Sequence, residues 1–396
     1  MKNPISLIPL SSVLNGQDQA LVQEMEAFLS KIDPRGDFTF LSEGEGGVPL
    51  FYVQTGGSEP GFAARYQNYQ EPYYFLVTGT RNSLAASLEM LSFLQQRGLH
   101  GKIIMGTPEK IHDEICEYLR FSKARAELRG SKMGVIGAPS DWLIASHVDK
   151  RAVQAKLGIE ILPIDYQEFL DEIEAVKEVP EALIHRFVDK TNRQEDLIES
   201  LKIYLALKAL CSRHGLSGFT LRCFDLLTLK HQTSCLAFGL LNEEGIIAGC
   251  EGDIPAMLTM AVAKALFGYA PFMANPSRFD METNTAVYAH CTLPLNFVKS
   301  YTLDTHFESG LGFGIKGEIE EGPCTCFKIS PDMTALKCLE GNIVANHNYA
   351  TFCRTQIEVK FSSSLSEITD HPFGNHMIFA FGHHKESLAR FFAFLG

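Results

Sequence analysis

The chain has 396 residues, 45% of them hydrophobic, and a formal net charge of −12. That length supports two or three domains, and the acidic balance argues against nucleic acid or an anionic membrane as partner, since both call for basic patches. No apolar run reaches the roughly 20 residues of a spanning helix, and residues 1–14 lack the pattern of a secretory signal, so a cytoplasmic protein is expected.

In chain order, 20–32 has helical spacing, and 44–48 and 56–61 read as loops. From residue 73 strands and helices alternate. The apolar run 73–77 stops at Thr78-Gly79-Thr80. Asn82 or Ser83 then caps a helix to about Arg97, with Leu84, Leu88, Leu91 and Leu94 on one face. A strand at 102–105 and a helix at 109–119 complete a βαβ unit, which implies parallel strands and a right-handed crossover. The charged stretch SKARAELRGS (122–131) reads as a boundary. A second α/β run starts at 133–136. Gly134 and Gly137 form GxxG after that strand, which is not a dinucleotide fingerprint; the alternative is a tight turn. Beyond it stands Trp142, the only Trp, a candidate for stacking on a sugar. Further strands are expected at 159–164 and 219–223, and helices at 166–176, 197–214 and 233–242.

The stretch 245–291 is the most informative. Three short apolar runs each end at a polar side chain: at Glu251, at Asn275 and at His290. Open α/β sheets present ligand groups at the carboxyl ends of their strands. Asp253 can cap a helix that begins near Pro255, which places Glu251 in a strand-to-helix loop. The alternative for Glu251 is charge stabilisation of that helix N-terminus, and for His290 a satisfied polar core position.

From about Lys299 the pattern changes. Residues 310–317 are glycine-rich. Short strand-like runs follow at 325–329, 334–338, 351–361 and 376–381, and the alternation in 356–361 marks an antiparallel β domain, closed by a helix at 386–395. The expected architecture is two Rossmann-like α/β domains, 1–128 and 129–298, followed by a C-terminal antiparallel β-rich domain, 299–396. The ten cysteines are scattered through apolar runs without a CxxC pair, so buried reduced thiols are expected rather than a zinc ribbon. There is no Walker A motif, no GxGxxG and no GxSxG, which argues against a nucleotide-dependent enzyme.

CEGD (250–253), FMAN (272–275), AHC (289–291) and GNHMIFAFGHH (374–384) together resemble the L-fucose isomerase family, with a fainter likeness to L-arabinose isomerases. A weaker likeness runs through VTGTRNSLAASLEML (77–91) and GVIGAPSDWLIAS (134–146). The resemblance implies a cytoplasmic, metal-dependent aldose–ketose isomerase for a free hexose or pentose, 6-deoxy or 6-substituted hexoses such as sulfoquinovose included. It also implies a homo-oligomer, trimer or hexamer. In that family one divalent ion, usually Mn²⁺, is held by Glu, Asp and His. The positions carry over as Glu251, Asn275 and His376, with Glu251 as ligand or base of an enediol mechanism. His290, Glu308 and Arg354 match positions near the substrate; Arg354 reads alternatively as a structural ion-pair partner. Asn275 stands where the family has Asp. An amide can coordinate through its carbonyl oxygen but brings no charge and cannot act as a base. The second reading is therefore a non-catalytic sugar-binding or regulatory relative. A second carboxylate in the same crevice would favour catalysis.

Overall fold

Five parallel strands follow one another in the first part of the chain: β1 (Asn3–Leu10), β2 (Phe38–Leu41), β3 (Val48–Val53), β4 (Tyr73–Val77) and β5 (Gly101–Ile104). The computed structural model describes residues 3–12 and 19–396, so part of the segment examined for a secretory signal lies outside the described residues. The strands lie in the order β2-β1-β3-β4-β5. All five residues of β4 are buried, as a strand covered by helices on both faces requires. On one face Phe51, Phe75 and Val77 pack with Phe62, Met90 and Leu94 from helices Glu59–Ala63 and Ser83–Gln95. This sheet, its helices and the last residues, 393–396, form one compact unit; residues 124–392 form the other. The helix Pro108–Leu128 runs into the charged stretch 122–131 expected to be a boundary, and the two units divide within that stretch, after Lys123. Phe121, Ala124 and Leu128 are buried along it, a helical face that outweighs the charges between them.

The second unit begins with four more parallel strands, β6 (Lys132–Ile136), β7 (Glu160–Ile164), β8 (Gly218–Leu221) and β9 (Ile247–Gly249), in the order β7-β6-β8-β9. Eight further strands follow: β10 (Phe272–Asp280), β11 (Thr285–His290), β12 (Ser300–Asp304), β13 (Gly314–Glu318), β14 (Gly322–Ile329), β15 (Leu336–Asn346), β16 (Thr355–Phe361) and β17 (Met377–Phe381). Six of them close an antiparallel barrel, β10-β11-β16-β15-β14-β17, and β12 and β13 form a two-stranded ribbon. The sheet membership corrects one expectation. Of the three strands read around Glu251, Asn275 and His290, only β9 belongs to the parallel sheet; β10 and β11 are a barrel hairpin. Nor does β10 stop at Asn275. It continues through Pro276 to Asp280, with the register shift at Pro276/Arg278 absorbing the missing N–H.

Helix Ile254–Phe267 joins sheet to barrel within this unit. It packs against β8 and β9 on one side and against β14 and β17 on the other. Eleven of its fourteen residues are buried, as expected for a helix apolar all round. Its Thr259 hydroxyl accepts the Ile329 N–H of β14 at 3.1 Å. The N-terminus of this helix is thereby fixed against two barrel strands, and the candidate site lies there. Among the described residues no helix is long and apolar enough to cross a membrane.

Candidate active site at the helix N-terminus

Between β9 and the central helix the chain turns within four residues. Glu251 and Gly252 both have positive φ, 63° and 73°. A side chain at position 252 would bring Cβ to 2.6 Å from the Ala138 carbonyl oxygen and the Pro139 Cα, so only glycine fits. Glu251 carries the left-handed conformation at some cost in strain, and its own carbonyl accepts the Ser140 N–H at 2.8 Å. The turn thus locks onto the loop after β6 and aims the Glu251 side chain into a pocket. Asp253 caps the helix as expected, Oδ1 accepting the Ala256 N–H at 2.8 Å.

The other oxygen of Asp253 does something the sequence did not disclose. Oδ2 accepts from His376 Nδ1 at 2.9 Å and from the Lys328 ammonium at 3.2 Å. All three side chains are fully buried. Desolvation alone would raise the Asp253 pKa, but the two cationic partners hold it well below the usual carboxylate range. His376 just precedes β17, and its Nε2 lies 3.4 Å from Glu251 Oε1. That nitrogen has no hydrogen-bond partner. Burial opposes charge on the ring, yet the Glu251 and Asp253 carboxylates raise its pKa to about 9. Glu251 responds in the opposite sense: desolvation raises its pKa, and the His376 charge and the Trp142 hydrogen bond bring it down to about 2.

Glu251, Asn275, His290, Trp142 and Glu308 line one pocket of about 370 Å³, together with Phe224, His306 and Asn375. Trp142 is half exposed and donates its indole N–H to Glu251 Oε2 at 2.6 Å. Its ring meets Phe224 edge to face at 5.0 Å, and Phe224 meets His306 at 5.6 Å. His306 and Glu308 arrive on the loop between β12 and β13, which Thr233 pins by bonding both the Phe313 N–H and carbonyl. A bond from an indole to a carboxylate is charge-assisted and worth roughly 1.5–3 kcal/mol. Trp142→Phe keeps the ring but loses the N–H, so we expect the activity of the site to fall roughly tenfold, with the Glu251 side chain no longer fixed in a crystal structure of the variant. Unaltered kinetics would confine Trp142 to stacking.

Ligand atoms of Glu251, His290 and His376 lie within 4.8 Å of one another. The three are not equivalent. The Thr292 backbone N–H donates to His290 Nδ1 at 3.1 Å. Burial and the neighbouring His376 charge push the His290 pKa down to about 3, so the ring is neutral and its proton sits on Nε2. His290 therefore offers a donor, suited to a substrate oxygen. The lone pairs suited to an ion are on Glu251 and His376, a carboxylate–imidazole pair with a carboxylate behind the imidazole, as bound divalent metals favour. Asn275 adds an amide, whose Oδ1 accepts from Asn375 Nδ2 at 3.3 Å. Arg354 is the one site candidate that turns elsewhere: its guanidinium holds the backbone oxygen and hydroxyl of Thr305, in keeping with the structural alternative. A second cluster, Asp33, Asp37 and His112 in the first unit, is a turn: both Asp33 oxygens accept backbone N–H groups, from Asp37 and Phe38.

Lys328, Asn375 and Phe224 escaped the sequence reading. Lys328 had a visible signal, a lone cation in the apolar strand GPCTCFKI whose last six residues are buried. Asn375 adjoins His376 in the quoted GNH block. Phe224 had no signal.

No family model matches the chain. It is 23% identical over 303 residues to the sulfoquinovose isomerase of Priestia aryabhattai, covering 72% of this chain and 67% of that one. It is 21% identical over 269 residues to the sulfoquinovose isomerase of Alkalicoccus urumqiensis, covering 63% and 59%. A more distant match, 24% over 169 residues, is the L-arabinose isomerase of Yersinia enterocolitica, covering 40% of this chain and 34% of that one. These similarities support a relationship to the sugar isomerases, and by them the chain is an isomerase enzyme.

Proposed function

We propose that the chain is a metal-dependent aldose–ketose isomerase for a free hexose or pentose, a 6-deoxy or 6-substituted hexose included. The observation that carries the reading is the buried His376 ring, oriented by Asp253 through Nδ1 and presenting an unpartnered Nε2 to the Glu251 carboxylate. Glu251 and His376 would hold a divalent ion, Mn²⁺ by the resemblance, with the Asn275 carbonyl oxygen as a third ligand. When bound, such an ion would supply Lewis acidity at the substrate carbonyl. The chain's own groups do the rest. Glu251, an anion throughout the neutral range, takes the proton from C2 and returns it to C1 on the same face of the enediol. The His290 Nε2–H donates to a substrate oxygen. Trp142 holds Glu251 Oε2 and offers its exposed face to the sugar. A homo-oligomer, trimer or hexamer, belongs to the same proposal and light scattering tests it.

The rival reading is a sugar-binding relative without turnover. Glu308 favours catalysis, since it brings a second carboxylate into the pocket that holds Glu251. The test is ketose formation from fucose, arabinose and sulfoquinovose with and without chelator. EDTA should abolish turnover and Mn²⁺ restore it. Sugar binding with no interconversion at saturating Mn²⁺ would establish the rival. Ion binding must displace the His376 proton, and that proton is held up to a pKa of about 9. Mn²⁺ affinity should therefore rise with pH, by roughly tenfold per unit up to that value, with one proton released per ion in calorimetry. Asn275→Asp adds a negative charge beside the ion, and Mn²⁺ affinity should rise by roughly tenfold or more; unchanged affinity would take Asn275 out of the ligand set.

A further inference from the structure

His306 lines the pocket beside Phe224, and the isomerase reading gives it no task. The residue is buried. It is not one of the groups whose ligand atoms converge, Glu251, His290 and His376, so it meets a sugar at a distance from the ion. Ser309 fixes the ring. The Ser309 hydroxyl oxygen accepts the Leu311 N–H at 3.3 Å and lies 3.1 Å from His306 Nδ1. An oxygen that already accepts from Leu311 has its own proton to give, and Nδ1 is the acceptor beside it. Nδ1 therefore accepts, and the ring proton sits on Nε2. Burial and the Arg354 charge favour the neutral ring, against the opposing pull of Glu251. The loop that carries the ring is held from within and without. The His306 N–H donates to the Leu311 carbonyl, and the Gly310 N–H to the His306 carbonyl, each at 2.9 Å. Arg193 donates to the Gly312 carbonyl at 2.8 Å, and Arg354 to the Thr305 carbonyl. A Cβ at position 312 would meet Thr233 Oγ1 at 2.6 Å, so the loop closes on Thr233 only with glycine there. A donor on such a support loses little freedom when a ligand arrives.

We propose that His306 is a specificity-determining residue whose Nε2–H donates to one sugar hydroxyl beyond the reacting carbons, and that Ser309 is the positioning residue that keeps the proton on that nitrogen. The inference rests on the reading of this pocket as a sugar site, not on turnover. Glu251, His290 and the ion address the reacting end of the sugar. The hydroxyls from C3 onward need partners of their own, and His306 supplies one from the β12–β13 loop. A sugar without that hydroxyl leaves the imidazole N–H unpaired in a buried place, and a site built to hydrogen-bond a hydroxyl rejects the analogue that lacks it. The alternative is a histidine that only packs on Phe224 and ties its loop through Ser309. The two roles differ in what a substitution does. Loss of packing weakens every sugar alike, whereas loss of a donor weakens only the sugars that carry the contacted hydroxyl.

Binding is measured by calorimetry at saturating Mn²⁺ on the full-length protein and its variants. The ligands are the tightest of fucose, arabinose and sulfoquinovose, and its analogues deoxygenated at C3, C4 or C5. His306→Phe keeps a ring against Phe224 and removes the donor. The parent sugar should bind it roughly tenfold more weakly than wild type, and one deoxy analogue should bind both proteins equally. His306→Gln sets an amide NH₂ near the place of Nε2 and should recover most of the loss. Ser309→Ala leaves the ring in place and frees its tautomer; it should show a smaller loss, about threefold, on the same sugars and none on that analogue. Binding that depends on His306 in this way, in a protein that interconverts none of the sugars, would uphold the donor while removing the isomerase reading. Sugar interconversion together with a His306→Phe variant that weakens the parent and all its analogues alike, or weakens none, would overturn the donor and leave the isomerase reading standing. If none of the sugars binds, both fall.

Discussion

Glu251→Gln should lower aldose–ketose turnover by roughly a thousandfold or more and weaken Mn²⁺ binding by at least about tenfold. The substitution keeps the length and branching of the side chain, so the left-handed turn at φ 63° and the lock to Ser140 through the Glu251 carbonyl are undisturbed. Only chemistry changes. The amide has no basic oxygen for a carbon-bound proton and no charge for an ion. Its oxygen can still accept the Trp142 indole N–H, which leaves the NH₂ facing His376 Nε2. Two donors, or a donor and a cation, then meet where the carboxylate stood, and an ion finds neither of its principal ligands in place. The measurements are kcat on the best aldose and calorimetry with Mn²⁺. Turnover within tenfold of wild type would remove Glu251 from proton transfer; lost turnover with intact Mn²⁺ affinity would leave it as base and remove it as ligand.

Much of this centre could be read from local patterns. The positions of Glu251 and Asp253 followed from a short apolar run, a turn and a proline in the first turn of a helix, all encoded within a dozen residues. In the first unit only β4 and β5 were legible for the same reason, since a run such as YYFLV between turn signals has few other fates; β1, β2 and β3, in the stretch before residue 73, were not read as strands. What failed was allocation. β10 and β11 look like α/β strands because their apolar runs 272–274 and 286–290 are buried throughout, as in a strand of a parallel sheet. Nothing in a period-2 pattern says whether the next strand pairs parallel or antiparallel. The partners of His376 were invisible for a different reason. Asp253, Lys328 and His376 are separated by 75 and 123 residues in their hydrogen bonds, and only the packing of helix Ile254–Phe267 between sheet and barrel brings them to one point.

Asp253→Asn should be the most destabilising of the conservative changes at this centre. Asn is as good an N-cap as Asp, so its Oδ1 can keep the Ala256 N–H and the helix start survives. The charge does not. Lys328 and His376 are left buried without their shared anion, and removing one member of a buried ion pair costs roughly 3–5 kcal/mol. At roughly 2–4 °C per kcal/mol for a unit of this size, the melting temperature should fall by about 10 °C. Lys328→Met should cost less, because Asp253 retains His376. The double variant Asp253→Asn/Lys328→Met should recover part of the loss of Asp253→Asn, since the orphaned ammonium is gone; that non-additivity is the signature of a direct pair. A function-specific effect accompanies the stability loss. With Oδ1 committed to the cap, the Asn NH₂ points at His376 Nδ1 and forces that nitrogen to accept. The neutral ring then carries its proton on Nε2, the nitrogen that faces Glu251, and the lone pair for an ion disappears. Mn²⁺ affinity should fall by roughly 10–100-fold even at temperatures where the variant is fully folded. A variant that melts within a degree or two of wild type would mean that the Asp253–Lys328 contact contributes little. One that binds Mn²⁺ normally would mean that His376 does not need Asp253 to present its Nε2.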